Sequence, residues 1–311
     1  MEQFTHYLQS KDLSLATIGR YIRHIHDFIL WYGDENTINC CKKDVLDYLS
    51  YLKNRNQQSV TRNNALISLR HYFNHLNDEN LICGNPTALI KLRGTKKRKL
   101  HYMYNPEELE QLADTYYLLE VKRTKEKLIT GAGQYLHQRT YLAKMRNYTM
   151  LLFFIHQGLR TKEILSLQMD DVALHKATVY IQGGTRGKSR TLPLHAMQIG
   201  TLMQYLNEVR PQLETANTDN TLFLPLLKND PKAQKEAEAS FKGFTKQLKR
   251  IDRNFESLVQ LRSSVITHWI QTYGLRRAQY MAGHKSIVST EEYLPNHIED
   301  LADDITKFNP F

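Results

Sequence analysis

The sequence predicts a mainly α-helical protein of two domains: an N-terminal helical bundle, and a larger α+β C-terminal domain with one small β-sheet or hairpin. Three observations carry that expectation. Apolar residues recur every three or four positions through most of the chain. A single pair of strand-like runs flanks a glycine-rich, basic tip. A break at Gly84-Asn85-Pro86, followed by a run of cations, sets about 90 residues apart from the rest. A length of 311 residues exceeds one typical domain and suits two, and 41% hydrophobic content is ample for their cores.

In the first domain, Ile18, Ile22, Ile25 and Ile29 repeat at three and four, as do Leu66, Leu69, Phe73 and Leu76, which predicts two amphipathic helices. Residues 4–8 and 45–52 share that period, with polar breaks at Gly33-Asp34-Glu35 and over 54–58. Residues 1–90 are therefore expected to form a compact bundle of four or five helices. Its cations Arg20, Arg23, Arg62 and Arg70 are either ordinary surface or, taken together, phosphate contacts, depending on what the second domain does.

The charge is uneven. The chain carries a net +10 with a pI of about 9.3, and residues 1–100 hold 15 Lys and Arg against 9 Asp and Glu. The densest run, Lys91, Arg93, Lys96, Lys97, Arg98 and Lys99, falls in a basic linker over 91–103. Solvent or a polyanion must relieve its self-repulsion, and the pI of the whole chain favours a phosphate backbone. The stretch Met1-Glu2-Gln3-Phe4 lacks the basic and apolar regions of a secretory signal, and the longest apolar run, residues 150–155, is too short for a bilayer, so no membrane role is expected. Three cysteines, two of them the adjacent Cys40 and Cys41, fit a reduced, cytoplasmic compartment. There is no Cys/His cluster at ligand spacing, so no metal is expected.

The second domain, residues 104–311, opens on Asn105-Pro106-Glu107-Glu108: an N-cap, a proline at the first helical position, and acids at the positive end of the dipole. Residues 119–145 are polar, contain Gly131-Ala132-Gly133, and read as an insertion of unassigned structure. Residues 148–155 predict a buried helix that stops at Gly158. Thr161 is expected to cap the next helix, with Glu163 in its first turn and Arg160 in the tight turn between. Residues 178–181 and 190–194 predict a hairpin around Gly183-Gly184-Thr185-Arg186-Gly187-Lys188, whose glycines do not match a nucleotide-binding loop. Its tip is either a charged turn or a finger for a groove, with Lys188 near enough to protonate a leaving oxygen.

Leu261-Arg262-Ser263-Ser264 opens a helix to Gly274, and a short helix follows over 276–281. Gly283 then leaves His284 at a helix C-terminus with its ring free to face a site, and Ser289 with Glu292 forms a capping-box pattern that puts Tyr293 in the first turn of a new helix. Arg, His and Tyr at such spacings are the parts needed to hold a phosphodiester and attack it.

The run Gly158-Leu159-Arg160-Thr161-Lys162-Glu163-Ile164-Leu165-Ser166-Leu167 resembles the first-arginine signature of the tyrosine recombinases, the phage-integrase family. The C-terminal blocks are similar too. Leu261-Arg262 with His268, then Gly274-Leu275-Arg276 and Gln279, then Ala282-Gly283-His284-Lys285-Ser286-Ile287 with Ser289-Thr290 and Tyr293, resemble the family's second-arginine, GH and nucleophile blocks in order. Ser14-Leu15-Ala16-Thr17 with Tyr21 and Phe28 is similar to the core-binding domain of Xer-type recombinases, so the resemblance spans nearly the whole chain.

That resemblance implies a C-shaped clamp around DNA, strand cleavage and rejoining, and no metal, ATP or other cofactor. Tyr293 would be the nucleophile, leaving a 3′-phosphotyrosyl bond and a free 5′-hydroxyl. Arg160 and Arg262 would fork the non-bridging oxygens, and His284 would donate a further hydrogen bond. Lys188 would protonate the leaving oxygen, with Arg186 the alternative, because Gly183-Gly184 stand where the family's hairpin lysine tends to fall. The expected DNA contacts are Arg20, Arg62, Arg70, Lys96, Lys97, Arg98, Lys99 and Arg186.

The implied partner is double-stranded DNA with a specific recombination site, bound by a homo-tetramer or a hetero-tetramer with a related recombinase. Leu301, Ile305 and Phe308 would pack on a neighbouring protomer or on their own domain. The chain also departs from the family: Val259 stands three residues before the second arginine, where the family has a histidine, and the nearest polar residues are Ser257 and Gln260. Two alternatives follow, a type IB topoisomerase sharing the chemistry and a DNA-binding regulator with impaired catalysis.

Overall fold

A computed structural model describes residues 2–33, 37–92, 102–130, 134–184, 187–213, 220–224 and 233–294. Lys96, Lys97, Arg98, Lys99, Arg186, Gly131-Ala132-Gly133, Leu301, Ile305 and Phe308 lie outside these residues. Backbone packing divides the chain into two units, Met1–Lys99 and Leu100–Phe311. Among the described residues the chain is mainly helical, with one three-stranded antiparallel sheet in the second unit.

The first unit is built from α1 (Glu2–Ser10), α2 (Leu15–Tyr32), α3 (Lys42–Asn54) and α4 (Ser59–Asp78). Ser14 begins α2 by accepting from the Thr17 N–H at 3.3 Å, and Gly33 ends it in the left-handed region. The buried stripe of α2 is Ile18, Tyr21, Ile25 and Phe28, with Ile22 and Ile29 half-buried at its edge. The seam is therefore rotated towards the aromatic residues, because Phe28 meets Tyr48 and Phe73 edge-on at 5.1 and 6.1 Å. On α4, Leu66, Leu69, Phe73 and Leu76 are buried as the period predicts. Full burial of each such side chain contributes about 1.5–3 kcal/mol.

The second unit begins with α5 (Pro106–Tyr116), where Asn105 and Glu108 satisfy each other's backbone N–H at 2.8 and 2.9 Å. A π-turn, Tyr117–Lys122, leads into α6 (Arg123–Thr130) and then α7 (Gln134–Gln157). The described part of the stretch 119–145 is thus helical. Most of its charges, Lys122, Arg123, Lys125, Glu126 and Lys127, are exposed, while the largely buried Lys144 and, from α11 further on, the exposed Arg250 reach the buried Glu120 at 2.7 and 3.1 Å. The unit's middle is α7, buried on every side from Met150 to Ile155.

Then come α8 (Thr161–Ser166), β1 (Val172–Ala173), β2 (Thr178–Ile181) and β3 (Arg190–Pro193), with Val172 opposite Val179 and Val179 opposite Leu192. The chain continues through α9 (Ala196–Gln204), a second π-turn at Tyr205–Val209, α10 (Arg210–Leu213), α11 (Ala233–Ile251), α12 (Leu258–Ala282) and α13 (Val288–Glu291). Ser257 caps α12, and Gly274 (φ 76°, ψ 166°) kinks it where a helix end was expected. Tyr293 is not in the first turn of a helix. Thr290 and Glu291 both donate backbone hydrogen bonds to the Ile287 carbonyl, which starts α13 earlier, so Ser289 lies inside it and Tyr293 follows it in a turn.

Candidate active site

Four segments converge around Glu163. The first is the turn between α7 and α8, where Gly158 (φ +56°) ends one helix and Arg160, not Thr161, is the N-cap of the next. Glu163 reaches back to accept from the Arg160 backbone N–H at 2.8 Å, and its other oxygen accepts from the Arg160 guanidinium at 3.0 Å. The Arg160 side chain remains 40% exposed.

The second segment is the hairpin. Along β3 the side chains alternate inward and outward, and Arg190 takes an inward place next to Leu192. Its side chain is 0% exposed and forks onto Glu163 at 3.0 and 3.1 Å. The turn ahead of β3 pairs with the end of α12: the Lys188 N–H donates to the Gly283 carbonyl at 3.0 Å, and Gly187 pairs with His284. The side chain of Lys188 is exposed. A Cβ on Gly283 (φ +66°) would overlap the Arg190 guanidinium, so two constraints select glycine there.

The third segment is the first turn of α12. Arg262 is buried; it donates to the Gly158 carbonyl, to the Ala282 carbonyl at 2.7 Å, and to His284 Nε2 at 3.2 Å, and lies 3.7 Å from Glu163. Burial, followed by the charge of Arg160, lowers its pKa to about 10, so it stays charged at neutral pH.

The fourth is the segment after α12. The ring of His284 is not free, as its place at a helix end had implied, but buried and held at both nitrogens, with Nδ1 2.9 Å from Thr290 Oγ1. Burial and then the charges of Arg262, Arg160 and Arg190 push its pKa down to about 4, so it is neutral at pH 7. The half-buried Tyr293 ring stacks on it, 5.9 Å between centroids and 14° between planes.

Burial alone would raise the pKa of Glu163, but the Arg190 hydrogen bonds, the Arg160 N–H and the charge of Arg262 outweigh it and hold the carboxyl ionised. Three guanidiniums around one carboxylate leave the centre positive, beside a stacked Tyr and a neutral His. Such a centre can take up an anion and present it to a phenol.

Of the residues expected at the site, Arg160, Arg262, His284 and Tyr293 are brought together. Lys188 stands at the hairpin edge with its backbone joined to the same cluster. Val259 is 69% exposed, Ser257 is occupied as a cap, and Gln260 is buried with hydrogen bonds to Glu256, Tyr102 and Asn254. None of the three faces the site as a proton acceptor. Sequence reasoning missed Glu163 as a hub, Arg190 and Thr290. The only signal was a cation at an inward register position of a strand. In the first unit Arg20 is exposed, while Arg62 donates to Ser59 at 3.2 Å and Arg70 to the Ile90 carbonyl at 2.9 Å. Among the described residues no cluster of three or more His, Cys, Asp or Glu could hold a metal ion, and no helix is long and apolar enough to cross a membrane.

Comparison with known proteins sets the class. The Phage integrase family matches over residues 132–299, and the Phage integrase N-terminal SAM-like domain over residues 1–82. The chain belongs to the phage integrase family, the tyrosine recombinases, and membership implies DNA strand cleavage and rejoining. It is similar to tyrosine recombinase XerD of Listeria monocytogenes serovar 1/2a, 27% identical over 326 residues that span 100% of this chain and 98% of that protein. It is also similar to TnP I resolvase of Bacillus thuringiensis, 24% identical over 96% of both. Its fold resembles that of the XerH recombinase bound to difH substrate (TM-score 0.65, 19% identity, 93% of this chain and 79% of that one). It likewise resembles a lambda integrase dimer on a COC′ core site (TM-score 0.64, 15% identity, 94% and 93%).

Proposed function

We propose that the protein is a site-specific recombinase that cleaves and rejoins DNA strands through a 3′-phosphotyrosyl intermediate, without metal or ATP. The observation that carries this reading is the convergence of Arg160, Arg262 and His284 on the ring of Tyr293 around one shared carboxylate. The Tyr293 hydroxyl oxygen attacks the scissile phosphorus, its proton passes to solvent, and the bond to the 5′-oxygen breaks. That oxygen leaves with the electron pair and takes a proton from Lys188, whose ammonium can give one up, whereas Arg186 could offer it only a hydrogen bond. Arg160 and Arg262 stabilise the charge of the pentacoordinate phosphorus, each contact contributing about 1.5–3 kcal/mol. The phosphotyrosine stores the bond energy, so a 5′-hydroxyl from another strand can reverse the step, which is strand exchange.

Phosphates along the duplex are met by Arg20, Arg62, Arg70, Lys96, Lys97, Arg98, Lys99 and Arg186. The working assembly is a tetramer on two duplexes, joined in part through Leu301, Ile305 and Phe308. The named relatives are a tyrosine recombinase and a resolvase, and nothing favours the topoisomerase or regulator alternatives.

The test is a nicked suicide substrate carrying the DNA that flanks the protein's own gene. A covalent protein–DNA adduct is expected, and Tyr293→Phe should abolish it while DNA affinity is nearly unchanged. An adduct that persists in Tyr293→Phe overturns the assignment of the nucleophile. No adduct from the intact protein on its own site overturns the cleavage reading.

A further inference from the structure

Thr290 touches both His284 and Tyr293. It is 0% exposed on α13; its side-chain oxygen lies 2.9 Å from His284 Nδ1, and its backbone carbonyl accepts the Tyr293 N–H at 3.0 Å. The other ring nitrogen, Nε2, faces Arg262 Nη2 at 3.2 Å. A guanidinium can only donate, so Nε2 accepts there. The single proton of the neutral ring is therefore on Nδ1, donated to Thr290.

This tautomer is the wrong one for holding DNA, because a ring that donates to a phosphate oxygen through Nε2 must carry its proton on Nε2. The two states need opposite partners at Nδ1, an acceptor in the free protein and a donor in the complex. A hydroxyl can be either, simply by rotating its hydrogen. We propose that Thr290 is a positioning residue that lets His284 exchange tautomers when a phosphate enters, accepting from Nδ1–H in the free protein and donating to bare Nδ1 in the complex. The inference rests on the reading of His284 as a phosphate donor.

The balance closes without another reactant. Nδ1 loses its proton to water, Nε2 gains one from water, and the net protonation of the ring is unchanged. The phosphate oxygen that enters between Arg262 and His284 accepts from both, and so removes the contact that had fixed the first tautomer. Because the Thr290 carbonyl also fixes the turn of Tyr293, the same residue keeps the nucleophile in register with the ring during the exchange.

The test uses nitrogen NMR of the full chain with 15N-labelled histidine, free and bound to the duplex that flanks the protein's gene. His284 is expected as Nδ1–H in the free protein and as Nε2–H in the complex. Thr290→Val, which keeps the shape and removes the hydroxyl, should slow single-turnover adduct formation about tenfold or more at unchanged DNA affinity, as loss of a residue that orients a functional histidine does. Thr290→Ser should restore the rate.

Finding Nε2–H in the free wild-type protein would overturn the proposal, and so would a valine variant as fast as wild type. If the valine variant does not fold, the two wild-type spectra and the serine variant still decide. If the wild-type protein makes no adduct at all, the cleavage reading has failed, while the spectra judge Thr290 separately.

Discussion

In the first unit the helix faces that meet are lined mainly by aliphatic and aromatic residues, and Arg20, Arg62 and Arg70 stay at or near the surface. The second unit instead carries Glu163, Arg190, Arg262 and His284 through its interior. The two arrangements fail differently. Apolar contacts are many and individually small, so trimming one leaves the rest in place. A buried ion network depends on each member, because removing one leaves the others desolvated without a partner. What makes the second unit suited to holding an anion also makes it fragile at one carboxylate.

The largest effect should therefore come from Glu163→Ala. It leaves Arg190, with a fully buried side chain, and Arg262 facing each other without their shared counter-charge. The expected cost is about 3–5 kcal/mol in denaturant unfolding, with loss of the covalent adduct. Glu163→Gln, which keeps the shape and one acceptor, should fall between Ala and wild type. A Glu163→Ala protein as stable as wild type would show that the arginines find other partners, and would remove the contrast between the units.

A smaller effect should appear in acid. His156, stacked on His195 at 4.5 Å, has its pKa lowered to about 4 by burial and then by His195, and His284 is lowered to about 4 as described. An unfolded chain takes up these protons near pH 6.5, before the folded one does. The stability from keeping both rings neutral is thus complete above about pH 6.5 and is lost as pH falls towards 4. The melting temperature should drop through that window, and His156→Gln should flatten part of the fall. Equal slopes for the variant and wild type would mean that His156 is not held neutral by the fold.

The difference between the units also explains what was legible in the sequence. The bundle's helices could be found because apolar burial leaves a period, although the stripe on α2 runs through Tyr21 and Phe28 instead of Ile22 and Ile29. Arg160, Arg262, His284 and Tyr293 were legible only as spaced blocks resembling a family. Arg190, Glu163 and Thr290 left almost no trace, since their importance comes from meeting across gaps such as 163 to 190 and 284 to 290. The helical part of 119–145 was missed because its apolar residues are few among exposed charges such as Lys122, Arg123, Lys125, Glu126 and Lys127, and because Glu120 and Lys144, which pair across the fold, put charge at inward positions.

The smallest effect on stability, and the sharpest on binding, should come from pairing Arg20→Ala with Arg70→Ala. Arg20 is exposed, with its guanidinium over the Tyr21 ring at 5.8 Å, so its loss should change stability by no more than about 0.5 kcal/mol. Arg70 holds the Ile90 carbonyl, and its loss should cost about 1 kcal/mol in unfolding. As a proposed phosphate contact, Arg20 should instead lower the slope of log affinity against log salt by about 0.9, measured by titration from low to moderate salt. A slope unchanged in Arg20→Ala would mean that this face of the bundle does not meet the backbone. The counterions released on binding would then come from the second unit and from the cations of 91–99, and the bundle's exposed arginines would be ordinary surface.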